Sequence, residues 1–354
     1  MIKCIKYELY KFLIIKKGIF LFIVYFVFQL ISVCISPIVQ YYSESPKEKY
    51  YSSQYYSKWG GVLTQEKMTE IEDMLMSIQS AENTYNELRT KMISEEIDKQ
   101  EYIDISEKTL PLIEQKRIFE KFYKNYSYCR NQTDKGWLID DTSWRIILFN
   151  QDVNYFLIII AIYTGVTIFS AEYGYRGLEQ VIKTTRYGNY KIFSAKIICL
   201  CQCALILEMT DFLSNLSVIG YNFGFSDINA PAQSISSLNN LDFDISIGTV
   251  ILFIFIIRFI GVVYFGVIAA FISEITKKAY IGFISVFFSM ILIYFAFGEN
   301  NTILEIAAPI CFFKTSDFLM SKHCFSVLTV SSAVCIVLIV LMTMHYKKRG
   351  KNFL

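Results

Sequence analysis

The sequence predicts an all-α integral membrane protein. It has six transmembrane helices, an N-terminal amphipathic interfacial helix and a mainly helical extracellular insertion between helices 1 and 2. Three observations predict this. Hydrophobic residues make up 54% of the 354 residues and charged residues only 19%, whereas an ordinary soluble domain is about a quarter charged. The apolar residues gather in runs near the ~20 residues that cross ~30 Å of hydrocarbon. Lys and Arg cluster beside alternate ends of those runs, which orients them.

Residues 1–17 read as the interfacial helix. Ile2, Ile5, Leu9 and Phe12 fall on one helical face, with Lys3, Lys6 and Lys11 elsewhere. The first span covers 18–40. Its apolar run is too long for a signal peptide and lacks a convincing cleavage site, so it reads as an anchor.

Residues 41–152 form the extracellular domain, with 20 acidic and 15 basic residues. Leu63, Ile71, Leu75 and Ile78 recur at helical spacing, and Tyr85, Leu88 and Met92 continue the stripe after Thr64, a plausible N-cap. A second helix is expected from Pro111, a favoured first-turn residue, through Ile118, Phe119, Phe122 and Tyr126. The expected product is a helical hairpin packed on flanking segments that include Trp59, Trp137 and Trp144.

Spans two to six follow at 153–171, 194–219, 247–272, 279–297 and 325–346. Between them lie a cytoplasmic loop at 172–193, an extracellular loop at 220–246 and an extracellular or re-entrant segment at 298–324. A cytoplasmic tail occupies 347–354. "ILEIAAPICFF", Ile303 to Phe313, is apolar but too short to cross, and Pro309 interrupts it. Lys16, Lys17, Arg176, Lys183, Arg186, Lys277, Lys278, Lys347, Lys348 and Arg349 flank one set of ends. The opposite short loops offer only Lys314 and Lys322. Both termini therefore read as cytoplasmic.

Several chemistries are excluded or weakened. No G-x-x-x-x-G-K-[ST] string occurs, so the chain is not expected to be an ATPase or other enzyme of that kind. No H-E-x-x-H or G-x-S-x-G is present. His323 and His345 are the only histidines. Cys199, Cys201 and Cys203 alternate in an apolar run and read as small packing residues pointing in different directions rather than as a metal site. Cys129 is the only cysteine of the extracellular domain, so no internal disulfide framework is expected there. The basic clusters hug membrane ends, which argues against nucleic acid as a partner.

Charges inside spans are rare and costly, at roughly 2.5–3.5 kcal/mol each on insertion scales. Glu208 and Asp211 lie one turn apart in span three, and Arg258 in span four falls at a depth between them. Arg258 is therefore expected to pair with Glu208 or Asp211, as a polar gate or as a structural tie.

The cytoplasmic loop is more than a link. Gly174 and Gly177 permit a turn, and Leu178, Val181 and Ile182 share an apolar face among Glu179, Gln180 and Lys183. Thr184, Thr185, Arg186, Tyr187 and Gly188 then break the helix. A short protruding helix of this kind suits docking to a soluble partner.

"AEYGYRGLEQVIKTTRYGNYKIFSAKI" resembles the first cytoplasmic loop of ABC-2 type ABC transporter permeases. That family places a Glu at the end of span two, then a Gly, a short coupling helix, a Thr- or Ser-rich turn with a basic residue, and a Lys at the start of span three. Glu172, Gly177, Thr185, Arg186 and Lys196 match those positions. The family's usual Pro after the Thr is replaced by Arg186. The large insertion between spans one and two resembles that of bacterial permeases tied to peptide-antibiotic export or immunity, and the Ile-, Lys- and Tyr-rich composition suits an AT-rich Gram-positive genome.

The resemblance implies a permease subunit in the bacterial plasma membrane. It would dock a cytoplasmic ABC ATPase subunit through Glu172, Arg176, Gly177, Glu179, Gln180, Thr185 and Arg186. A second permease would pair with it as a homo- or heterodimer, and a peptide substrate would meet the extracellular domain. ATP and Mg would sit on the partner subunit, with no cofactor and no metal in this chain. The other reading is a sensor or immunity complex whose extracellular domain binds a toxic peptide without transport.

Overall fold

The computed structural model describes residues 1–94, 98–131, 137–150, 154–171, 190–239, 241, 244–297, 310–313 and 324–351. They are almost entirely helical and divide into two compact units. One unit comprises Met1–Gln40, Ile146–Tyr221 and Val250–Leu354, the other Tyr41–Arg145 and Asn222–Thr249.

The first unit opens with α1 (Ile2–Tyr10), which runs into a single π-helical turn, Lys11–Ile15. Phe12 of the expected face is buried, but Lys11 and Glu8, the latter three residues from Lys11 and four from Phe12, are buried with it, while Ile2 stays exposed. Lys11 and Glu8 form a buried ion pair. Phe12 then closes over Gly18, where a Cβ would lie 2.6 Å from the Phe12 ring. Only a residue without a side chain permits that elbow into the next helix.

Four helices are long and apolar enough to cross a membrane: α2 (Gly18–Ile35), α9 (Tyr190–Phe223), α10 (Ile247–Thr276) and α12 (Cys324–Lys351). α8 (Tyr155–Ser170) and α11 (Ala279–Phe297) are apolar but shorter or less fully described, and they pack on each other. All six expected runs are thus helices; the fifth keeps its expected bounds, 279–297, and the others shift at one or both ends. The first ends at Ile35, not 40, because Ser36 leaves the helical region before Pro37, and a separate turn, α3 (Pro37–Tyr42), follows. α9 overruns its expected limits at both ends.

The core of this unit joins Tyr25, Leu157, Ile158, Leu200, Phe265 and Phe313. Gly165 meets α10 at such close range that a Cβ there would sit 2.1 Å from the Gly266 carbonyl oxygen. Cys199 and Cys203 are one turn apart and buried on the same face; only Cys201 turns away. The expectation that all three diverge is corrected by the helical repeat itself, since i and i+4 share a face. Both remain core residues. Among the described residues, no group of His, Cys, Asp and Glu is placed to hold a metal ion.

In the second unit, α4 (Pro46–Trp59) precedes the hairpin of α5 (Gln65–Ile93) and α6 (Lys99–Asn131). Ser45 and Glu48 cap α4 reciprocally, at 3.3 and 2.9 Å, and Pro46 occupies its first turn. Thr64 caps α5. Pro111 is not a helix start. It lies inside α6, where it is exposed, so the Glu107 carbonyl it leaves unpaired faces water. Tyr55, Trp59, Ile71, Ile78, Phe119 and Phe122 form the core, with Tyr55 stacked on Trp59 at 5.7 Å. A two-stranded ribbon, β1 (Gly61–Val62) and β2 (Trp137–Leu138), pairs antiparallel, Gly61 against Leu138, and α7 (Thr142–Asn150) follows.

Residues 222–249 belong to this same unit. Tyr128 donates to the Gln233 carbonyl at 2.7 Å, the Trp144 indole donates to Ser226 Oγ at 2.8 Å, and the Trp144 and Phe225 rings stack at 4.8 Å. Cys129 is buried, donates weakly to the Trp137 carbonyl at 3.6 Å, and burial pushes its thiol up to about 12, so it stays protonated and inert.

Candidate functional site: a buried charge cluster

α9 carries Glu208 and Asp211 on one face, and α10 presents Arg258 to both. The guanidinium divides its donors. Nε donates to Glu208 Oε1 at 2.8 Å, and Nη2 donates to Asp211 Oδ2. Relative exposure is 0% for Arg258, 0% for Glu208 and 1% for Asp211. Arg258 therefore has both carboxylates, where the sequence pointed to one or the other.

Four further residues complete the cluster. Asp211 Oδ1 accepts from the Tyr25 hydroxyl at 2.7 Å and from Asn154 Nδ2 at 2.7 Å. Asn154 Nδ2 also lies 3.1 Å from Gln29 Oε1, and its Oδ1 caps α8 by accepting from the Leu157 N–H at 3.1 Å. The Phe313 ring, in a 3₁₀ turn Ile310–Phe313, lies 5.6 Å from the guanidinium carbon. Four helices thus meet at one buried polar point. Tyr25 and Gln29 were legible in principle, being four apart in an apolar run and so on one face.

A second polar group lies in this unit. Lys196 is fully buried and donates to the Phe169 carbonyl at 3.4 Å, over the Phe169 ring at 5.6 Å. A cation there satisfies a terminal carbonyl of α8 and opposes its dipole. Glu274, also buried, accepts from the Tyr346 hydroxyl at 3.0 Å, and Tyr346 packs on Phe193 at 4.8 Å.

The expected docking residues Glu172, Arg176, Gly177, Glu179, Gln180, Thr185 and Arg186 lie outside the described residues. So does most of the expected re-entrant segment, 298–309 and 314–323.

The second unit holds a cleft of about 340 Å³, lined by Glu44, Lys49, Tyr50, Asp140, Thr142 and Phe223 among others. Lys49 donates to the Asn222 carbonyl, and Lys121 lies 3.3 Å from Glu44. Burial raises the Asp140 carboxyl above its ordinary range. Burial also lifts neighbouring Asp141 to about 6, against the lowering influence of Arg145, whose Nε is 3.9 Å away.

Comparison with known proteins returns no match: no family model, no curated protein and no solved structure matches the chain. The class defined by fold and site is therefore a helical protein, with four helices able by length and composition to span a membrane and a buried charge cluster between two of them.

Proposed function

We propose that the chain is the transmembrane permease subunit of an ABC transporter. It exports a peptide, antibiotic or other amphipathic substrate, or removes it from the membrane, driven by a separate ATP-binding subunit. The observation that carries a translocating role is the Arg258–Glu208–Asp211 cluster, set fully buried between apolar α9 and α10. Charges at such positions are expensive and mark pathways or gates by default. The ATP-driven part rests on the resemblance of residues 171–197 to the permease coupling loop.

Chain connectivity supports six crossings. Tyr41–Arg145 and Asn222–Thr249 pack into one unit, so they share one side of any membrane. Between them run α8 and α9. α9 is long enough to cross, so an even count requires α8 to cross as well. Its 16 residues span about 24 Å, which mild local thinning of the bilayer accommodates. Lys and Arg on the other ends favour an extracellular unit and cytoplasmic termini.

In this reading the ATPase subunits close on ATP, the coupling helices move, and α9 shifts against α10. The movement requires differential contacts in the two nucleotide states. The test is Arg186→Glu combined with Glu179→Lys. Both co-purification with the ATPase and substrate flux into vesicles should be lost; retention of both overturns the docking assignment.

The cleft in the second unit favours one other reading, a sensor or immunity complex that captures a toxic peptide outside the cell without transport. A variant with Glu44 and Asp140 both changed to Ala distinguishes them. A conduit keeps its flux, whereas a capturing complex loses peptide binding.

A further inference from the structure

The cluster does not balance. Glu208 and Asp211 bring two carboxylates to one guanidinium. The groups facing them are Tyr25 and Gln29 from α2, Asn154 ahead of α8, Arg258 from α10 and the Phe313 ring, and none of these adds a second cation among the described residues. A net negative charge at 0% exposure is far costlier than a neutral hydroxyl at the same place.

The two carboxyls are not equivalent. Asp211 is fully served as an anion: Oδ1 has two donors and Oδ2 has Arg258. Glu208 Oε1 accepts from Arg258, but Oε2 is buried with no hydrogen-bond partner. When two close carboxyls share a site, one of them keeps a proton. We infer that Glu208 carries that proton on Oε2 at neutral pH, so that the cluster is a proton-binding site made of a neutral Glu208, an ionised Asp211 and Arg258. Release breaks the Oε2–H bond and passes the proton to water. That becomes favourable only when α9 and α10 part enough for water to reach Oε2, so deprotonation reports the opening of this contact. The inference goes beyond the transporter reading and holds whether or not an ATPase docks.

The test is infrared difference spectroscopy of the full-length protein in lipid nanodiscs, wild type against Glu208→Gln, in light and heavy water at neutral pH. The expected result is a carbonyl band of a protonated carboxylic acid, sensitive to deuteration, present in wild type but absent from Glu208→Gln and also from Asp211→Asn, where Glu208 becomes the one counter-ion of Arg258. Buried protonated carboxyls elsewhere cancel in the difference. Glu208→Asp is the second variant, should the Gln protein not fold, and must shift the band. A band unchanged in both Glu208 variants overturns the assignment. So does a wild type without the band whose thermal midpoint rises with added sodium or potassium, since a bound metal cation then supplies the balance. The proton also fixes a sign: wild-type stability falls as pH rises from about 4, where the unfolded chain gives up this proton, up to neutrality, and that of Glu208→Gln lacks this contribution.

Discussion

Arg258 is held by two carboxylates at once, and that sets what its removal costs. Arg258→Ala leaves Glu208 without its donor and Asp211 with only Tyr25 and Asn154. Breaking a buried pair on one side costs about 3–5 kcal/mol. A large fall in the thermal midpoint of the protein in nanodiscs is expected. Arg258→Met together with Glu208→Gln and Asp211→Asn should recover most of it, because no charge is then left unpaired. An unchanged midpoint in Arg258→Ala would mean that water already reaches the cluster. In the second unit, Asp141 gives a prediction of opposite kind. Burial lifts its carboxyl to about 6, above the unfolded value. The folded protein therefore holds a proton that the unfolded chain gives up between about pH 4 and 6, and stability falls as pH rises through that window. Asp141→Asn removes the slope and stabilises the unit above pH 6 by up to about 3 kcal/mol. Trp59, Trp137 and Trp144, the chain's 3 tryptophans, all lie in Tyr41–Arg145, so tryptophan fluorescence during unfolding reads this unit alone. The charged members of the buried cluster were legible because a charge in an apolar run has few explanations. Tyr25 and Gln29 showed only that they share a face, and Asn154 showed nothing, because a hydroxyl or amide there is ordinary until a partner is known.

Among the elements, apolar runs announced helices well and helix ends poorly. Run length is a property of composition, whereas an end depends on local backbone chemistry. Ser36-Pro37 closes α2 early. The Ser45–Glu48 capping box was present in the sequence as S-x-x-E before α4, and it marks a helix that the apolar pattern alone did not reveal. Pro111 was misread for a physical reason. Proline favours first turns, but one exposed proline in a 33-residue helix is tolerated when the freed carbonyl faces water and the rest of the helix packs on α5. That tolerance has a measurable cost. Pro111→Ala restores an N–H and removes the clash with the preceding turn, so it should stabilise the second unit by about 1–3 kcal/mol in the fluorescence-detected melt. A destabilised variant would show instead that the local geometry Pro111 imposes on α6 is needed for packing.

For the whole molecule, the membership of residues 222–249 in the same unit as Tyr41–Arg145 makes topology testable without reference to transport. Exposed Cys34, half-buried Cys4, and also Cys311 and Cys324, are first replaced by Ser, leaving buried Cys129, Cys199, Cys203 and Cys335 and the partly buried Cys201 as background. Single reporters are then introduced as Met76→Cys and Asn229→Cys in the second unit, and as Lys3→Cys and Lys278→Cys at the exposed ends of the first. A membrane-impermeant maleimide applied to intact cells should label Met76→Cys and Asn229→Cys together. Lys3→Cys and Lys278→Cys should react only after permeabilisation. The pairing is what matters. α9 is long and apolar enough to cross, so if it crosses while α8 merely lies along the surface, residues 76 and 229 stand on opposite sides and label in opposite conditions. They cannot then share a folded unit held by the Tyr128–Gln233 and Trp144–Ser226 hydrogen bonds. Joint labelling from outside therefore makes α8 a crossing helix despite its 16 residues, and split labelling dissolves the unit and the six-crossing arrangement at once.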